Sequence, residues 1–98
     1  MPEYNRGDVI VYAKQKWSAS PEPHARAVSA MPGGDMYSYV IDKFWRVIGK
    51  ERVIGKEDEG ILRVRTRTGK EHWVAEGDQN LRRSNLFERI LMRNRIPR

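Results

Sequence analysis

The stretch Ile61–Ala75, ILRVRTRTGKEHWVA, decides how the chain folds. Its two arms, ILRVRTRT and KEHWVA, are strand-like, and a strand places successive side chains on opposite faces. Gly69 sits where the chain must turn, and glycine accepts the left-handed conformation that closes a hairpin loop at no steric cost. A three-residue loop with a bulge sets Thr66 opposite Lys70, Arg65 opposite Glu71, Val64 opposite His72, Arg63 opposite Trp73 and Leu62 opposite Val74. A two-residue loop instead sets Val64 opposite Trp73 and Arg65 opposite His72. A slip of one residue exchanges the faces, so the register determines whether Trp73 points outward beside Arg63 or inward beside Val64. In either register the period of two leaves Arg63, Arg65 and Arg67 on one strand face.

The neighbouring segments extend the β pattern. Val9-Ile10-Val11-Tyr12 is a short β-branched and aromatic run after the turn signal Arg6-Gly7-Asp8. MYSYVIDKFWRVIG, from Met36 to Gly49, is dense in aromatic and β-branched residues and fits two strands, or one bent at Asp42-Lys43. Phe44, Arg46 and Ile48 then share one face, with Trp45 and Val47 on the other. Between these strands, residues 14–35 show no sustained period and carry Pro21, Pro23, Pro32, Gly33 and Gly34, which predicts a long irregular loop. Glu51 to Gly60, with the acidic triplet Glu57-Asp58-Glu59, reads as an exposed hairpin end. Toward the C-terminus, Leu86, Phe87, Ile90 and Leu91 make the i, i+1, i+4, i+5 stripe of a helix over 83–94 with one apolar side. Ser84 or Asn85 is its cap, Asn85 and Glu88 have capping-box spacing, and Pro97 ends it.

These elements predict a mainly β chain: a small, strongly bent antiparallel barrel over 6–75 with a long loop after the first strand and one closing helix. The chain resembles SH3-like small barrels, the group that includes KOW and Tudor-type modules, in RGDVIVY at 6–12, FWRVIG at 44–49 and GILRVRTRTGKEHWV at 60–74. That resemblance implies that the long segment after the first strand, Lys14–Asp35, contributes to a ligand surface.

Ninety-eight residues leave room for one domain, and they exclude an enzyme with separate cofactor and substrate lobes. The chain holds 19 Lys and Arg against 13 Asp and Glu, a net charge of +6, so its partners are expected to be acidic. The excess is concentrated late in the sequence. The last twenty residues carry Arg82, Arg83, Arg89, Arg93, Arg95 and Arg98 against Glu88 alone, and arginine favours bidentate contact with phosphate or carboxylate. With no cysteine there is no disulfide, thiolate nucleophile or Cys-based metal site. His24 and His72 have no neighbours at metal-ligand spacing. Met31-Pro32-Gly33-Gly34-Asp35 lacks the Lys-Ser/Thr and following helix of a phosphate loop and reads as a turn. No catalytic constellation, cofactor site or metal site is expected. No apolar stretch reaches the roughly 20 residues of a membrane span, so the expected location is the cytoplasm without a membrane partner.

What remains is basic and aromatic. Arg63, Arg65 and Arg67, with Arg82, Arg83, Arg89 and Arg93 and with Lys14 and Lys16, can hold phosphates. Trp73 or Trp17 can stack a base, while Phe44, Trp45 and Tyr39 are expected in the core. The sequence thus predicts a non-catalytic module for RNA or DNA, in single-stranded or structured form, because it has no recognition helix for the duplex major groove. The second class is a protein-interaction or assembly module, monomeric or weakly dimeric, in which a strand edge or the Leu86/Phe87/Ile90/Leu91 face meets an acidic or apolar partner.

Overall fold

The computed structural model describes residues 4–52 and 60–97. Six strands follow one another as β1 (Val9–Ser18), β2 (Arg26–Ala30), β3 (Tyr37–Arg52), β4 (Gly60–Arg65), β5 (Glu71–Ala75) and β6 (Leu81–Arg83). One short helix, α1 (Leu86–Leu91), and a 3-10 helix at Arg93–Arg95 come last. The strands form one sheet in the order β5-β4-β3-β1-β6, with β2 joined to β3 off this path. The resolved pairings are antiparallel, and β6 returns to β1 through Ile10 opposite Arg83 and Tyr12 opposite Leu81. The chain is therefore mainly β with one short C-terminal helix, as its pattern predicts.

It divides into two compact units, one formed by Met1–Tyr12 with Phe44–Arg98 and the other by Ala13–Lys43. The first has apolar side chains on both sides of its sheet. On one side Tyr4, Ile10, Val47, Leu62, Val64, Val74 and Leu81 are buried together, with Tyr12 and Trp45 packed against them. On the other, Val9, Val11 and Phe44 are covered by Met92 and Ile96. Strand alternation explains the division: Val9 and Val11 point one way and Ile10 the other, just as Phe44 points away from Trp45 and Val47. Trp45, expected in the core, is half-buried, stacked on Tyr12 with ring centroids 4.8 Å apart and tilted against His72 at 5.6 Å. His72 itself is exposed.

The bulged hairpin register is the observed one. Leu62 lies opposite Val74, Arg63 opposite Trp73, Val64 opposite His72 and Arg65 opposite Glu71. The Thr66 amide donates to the Lys70 carbonyl at 2.7 Å, and Gly69 closes the loop at φ 89°. The loop takes Arg67 out of the strand, because β4 ends at Arg65; the expected row of three arginines on one strand face is therefore a row of two.

The predicted irregular loop over 14–35 is instead partly sheet, with residues 14–18 and 26–30 in strands. β1 runs on to Ser18, and Arg26–Ala30 pairs with β3 through Arg26 opposite Val40, Ser29 opposite Ser38 and Ala30 opposite Tyr37. The prolines sit in the connection between β1 and β2 and in the turn at Met31–Met36, where the Met31 amide meets the Met36 carbonyl at 2.9 Å. In this unit Tyr39 is buried, as expected, with its hydroxyl 3.0 Å from Ser18 Oγ and donating to Glu22 at 3.2 Å. Of the two alternatives for 36–49, two strands or one, the structure has one, Tyr37–Arg52. The expected hairpin end with Glu57-Asp58-Glu59 lies outside the described residues.

The C-terminal helix is shorter than predicted and turned the other way. Asn85 caps it, accepting from the Glu88 amide at 2.8 Å while Glu88 accepts from the Asn85 amide at 3.0 Å, the reciprocal pair its spacing foretold. Ser84, the other candidate, is buried and donates to the Val9 carbonyl at 2.8 Å. The apolar stripe does not close the core. Leu86, Phe87, Ile90 and Leu91 are 60, 74, 58 and 71% exposed. The core is met instead by Met92 and Ile96, beyond the helix.

Candidate nucleic-acid interface

The sheet register carries Arg46 of β3 and both arginines of β4 onto one face. Arg46 lies directly opposite Arg65, Arg65 opposite Glu71, and Arg63 opposite both Gly49 and Trp73. Directly opposed residues of antiparallel strands share a face, so Arg46, Arg65, Arg63 and Trp73 stand on the side that also carries Phe44. The C-terminal segment passes over this side. Arg46 fastens it, donating from Nε to the Pro97 carbonyl at 2.9 Å and from Nη1 to the Gly7 carbonyl at 2.8 Å.

Where the segment crosses, two adjoining clefts form. The first, about 410 Å³, is lined by Gly7, Asp8, Val9, Arg46, Arg89, Arg93, Ile96 and Pro97. The second, about 550 Å³, is lined by Arg65, Thr66, Arg67, Gly69, Arg93, Asn94, Ile96 and Pro97. They share Arg93, Ile96 and Pro97, bring five arginines together and, among the described residues, contain one side-chain carboxylate, that of Asp8. Asp8 is itself 3.5 Å from Arg83 and accepts from the Asn5 amide at 2.8 Å. Among the described residues, the side chains of Arg67, Arg89 and Arg93 take part in no ion pair. A cleft walled by planar, permanently charged guanidinium groups and a threonine hydroxyl suits the oxygens of a phosphate.

The aromatic component is Trp73, 57% exposed at the edge strand β5 and next to Arg63. Arg63 leans toward Glu71, with Nε 3.6 Å from Oε1. Cation–π contacts form at Arg83 over Tyr4, at 5.5 Å, and at Arg95 over Phe44, at 5.0 Å.

The other sequence candidates have different duties. Arg82 grips Glu88 with two bonds of 2.7 Å. That bond, ahead of the opposing effect of burial and with help from the Asn85 amide and the charge of Arg82, holds the Glu88 carboxyl below its ordinary range. Arg83 lies by Asp8 and Tyr4. Lys14, Lys16 and Trp17 belong to the unit of Ala13–Lys43. There Lys16 pairs with Glu22 at 2.6 Å, and Trp17, on the far half of β1 rather than in a loop, is 55% exposed. His24 is exposed in a turn at φ 69°, and among the described residues no group of three or more His, Asp or Glu side chains is placed to hold a metal ion.

Three contributors were not singled out from sequence. Arg46 looked like one more polar position of a strand, and only its register against Arg65 reveals it. Thr66 and Asn94 enter through the hairpin turn and the end of the C-terminal segment. Comparison of the chain with protein-family models, with curated proteins and with solved structures gives no match, so the site stands on its own geometry.

Proposed function

We propose that this protein is a non-catalytic, cytoplasmic nucleic-acid-binding module that takes single-stranded or structured RNA across its arginine clefts. The observation that carries the reading is the convergence of Arg46, Arg65, Arg67, Arg89 and Arg93 on two adjoining clefts whose walls hold, among the described residues, a single side-chain carboxylate. Phosphates lie in the clefts and a neighbouring base stacks on Trp73, an arrangement that tolerates many sequences because every base offers a π-face. Single strands are favoured over duplex because stacking needs an unpaired base. The six-residue α1 is also too short to serve as a recognition helix, and it turns apolar side chains outward. The SH3-like barrel is part of the proposal, supported by the antiparallel order in which the last strand, β6, returns to pair with the first.

The test is fluorescence anisotropy with a labelled single-stranded oligoribonucleotide and its DNA and duplex counterparts, each at two salt concentrations. The reading expects roughly micromolar affinity for the single strand, with log K falling against log salt at a slope of about −2 to −3.5 for three to five phosphates neutralised. No binding at low salt overturns it.

A further inference from the structure

The helix α1 shows its wrong side to water. Glu88 is turned to Arg82 and Asn85, and Met92, one step past the helix, packs with Phe44, whereas the four large apolar residues project from the molecule. No residue of the helix is buried, so its apolar stripe contributes little to this fold. Contiguous exposed apolar surface of this kind marks a contact.

What covers it can be argued from charge and size. Arg89 lies three residues after Leu86 and one before Ile90, at the border of the stripe, and Arg93 follows three residues after Ile90. Both lack an ion pair among the described residues, and the one acid of the helix, Glu88, is neutralised by Arg82 on the opposite side. The occupant is thus apolar in its interior and anionic at its rim. A stable protein interface takes about 800 Å² from each partner, more than four side chains of a six-residue helix offer. Two copies pressed together here would also bring like-charged arginine borders near each other. A lipid surface needs no matching shape, and each apolar side chain adds to binding as it enters the headgroup region.

We infer that α1 docks the protein reversibly on an anionic lipid surface, with Leu86, Phe87, Ile90 and Leu91 in the headgroup and acyl boundary and with Arg89 and Arg93, which also line the arginine clefts, against lipid phosphates, so that lipid and RNA phosphates compete for these two side chains. The absence of any helix long and apolar enough to cross a membrane among the described residues concerns spanning only. Surface docking is a separate property. A single short helix gives weak attachment, so binding depends on the anionic lipid.

The experiment is co-sedimentation of the full chain with vesicles of pure phosphatidylcholine and with vesicles in which roughly one third is phosphatidylglycerol. Expected is about tenfold more protein on the anionic vesicles, and a return to background for the Phe87→Ser, Leu91→Ser double variant. Arg89→Gln is expected to weaken the anionic binding by about fivefold. The double variant changes exposed residues, so its circular dichroism and its RNA affinity should match the parent, which separates a failure of this inference from a failure of the nucleic-acid reading. Three results overturn the inference: no sedimentation with anionic vesicles at low salt, which leaves the face to a protein partner; binding undiminished in the double variant; or a dimer in vesicle-free buffer that Phe87→Ser abolishes, which assigns the face to a second copy.

Discussion

Arg46 and Arg65 lie directly opposite each other on β3 and β4, two like charges at a register position where opposite charges would stabilise the sheet. Arg46 is anchored by the Gly7 and Pro97 carbonyls, so its charge is held in place by neutral groups. Those bonds join the chain's beginning and end to β3. Arg46→Ala is therefore expected to cost about 1.5–3 kcal/mol, the range for hydrogen bonds from a charged group, in urea unfolding. A variant with unchanged stability would mean that the Pro97 and Gly7 contacts do not hold the C-terminal segment.

Arg67, Arg89 and Arg93 make a contrasting set, because none takes part in an ion pair among the described residues. Replacing any one by alanine should leave the unfolding free energy within about 0.5 kcal/mol of the parent. Affinity for single-stranded RNA should fall alike for every sequence tested, and each loss should make the salt slope shallower by about 0.7. Loss of affinity for one sequence alone would instead assign these side chains to base edges.

Trp73 is exposed on an edge strand and contributes little to the core, so Trp73→Ala tests stacking with small structural cost. Removal of a stacking ring is expected to weaken single-strand binding by about 1–3 kcal/mol, with a weaker effect on a duplex. Quenching of tryptophan fluorescence on titration should shrink in the variant. Equal losses for single strand and duplex would contradict stacking.

Glu76 ties the N-terminus down, accepting from the Tyr4 amide at 3.1 Å and pairing with Lys50 at 2.8 Å. Burial pushes its carboxyl upward, but the Lys50 hydrogen bond, the Tyr4 amide and the charges of Lys50 and Arg52 together outweigh that and hold it below its ordinary value. Glu88 is also lowered. For a depressed carboxyl the unfolded chain binds the proton first on acidification. The stabilisation is therefore complete above the ordinary value of about 4.3 and is lost as pH falls through the lower folded value. Unfolding free energy measured from neutral pH downward should be level to about pH 5 and then fall, with a smaller fall in Glu76→Gln. A slope unaffected by that substitution would place the acid sensitivity elsewhere.

The hairpin, the cap and much of the strand content were legible because they depend on local chemistry. A glycine at φ 89° fixes the Thr66–Lys70 loop, so Gly69→Ala should cost about 1 kcal/mol, and Asn85 with Glu88 needed only its spacing of three. The strand at Arg26–Ala30 was hidden because all five residues are exposed, leaving no alternation to detect. The outward face of α1 was misjudged because an apolar stripe shows amphipathicity without saying which side meets the core. Met92 and Ile96 take that place only once the chain leaves the helix. The site was half visible. Arg67, Arg89 and Arg93 were identified by charge, but their meeting with Arg46 depends on pairing between β3 and β4 and on the return of residues 93–97 across the sheet, contacts far apart in sequence.

The central claim is tested most directly by NMR of the arginine Nε–H and tryptophan Nε1–H groups during titration with a single-stranded oligoribonucleotide. The account predicts that Arg46, Arg65, Arg67, Arg89 and Arg93 shift together with Trp73, along one binding curve that moves to weaker affinity as salt is added. Shifts absent from these six side chains, while RNA is demonstrably bound, would contradict it.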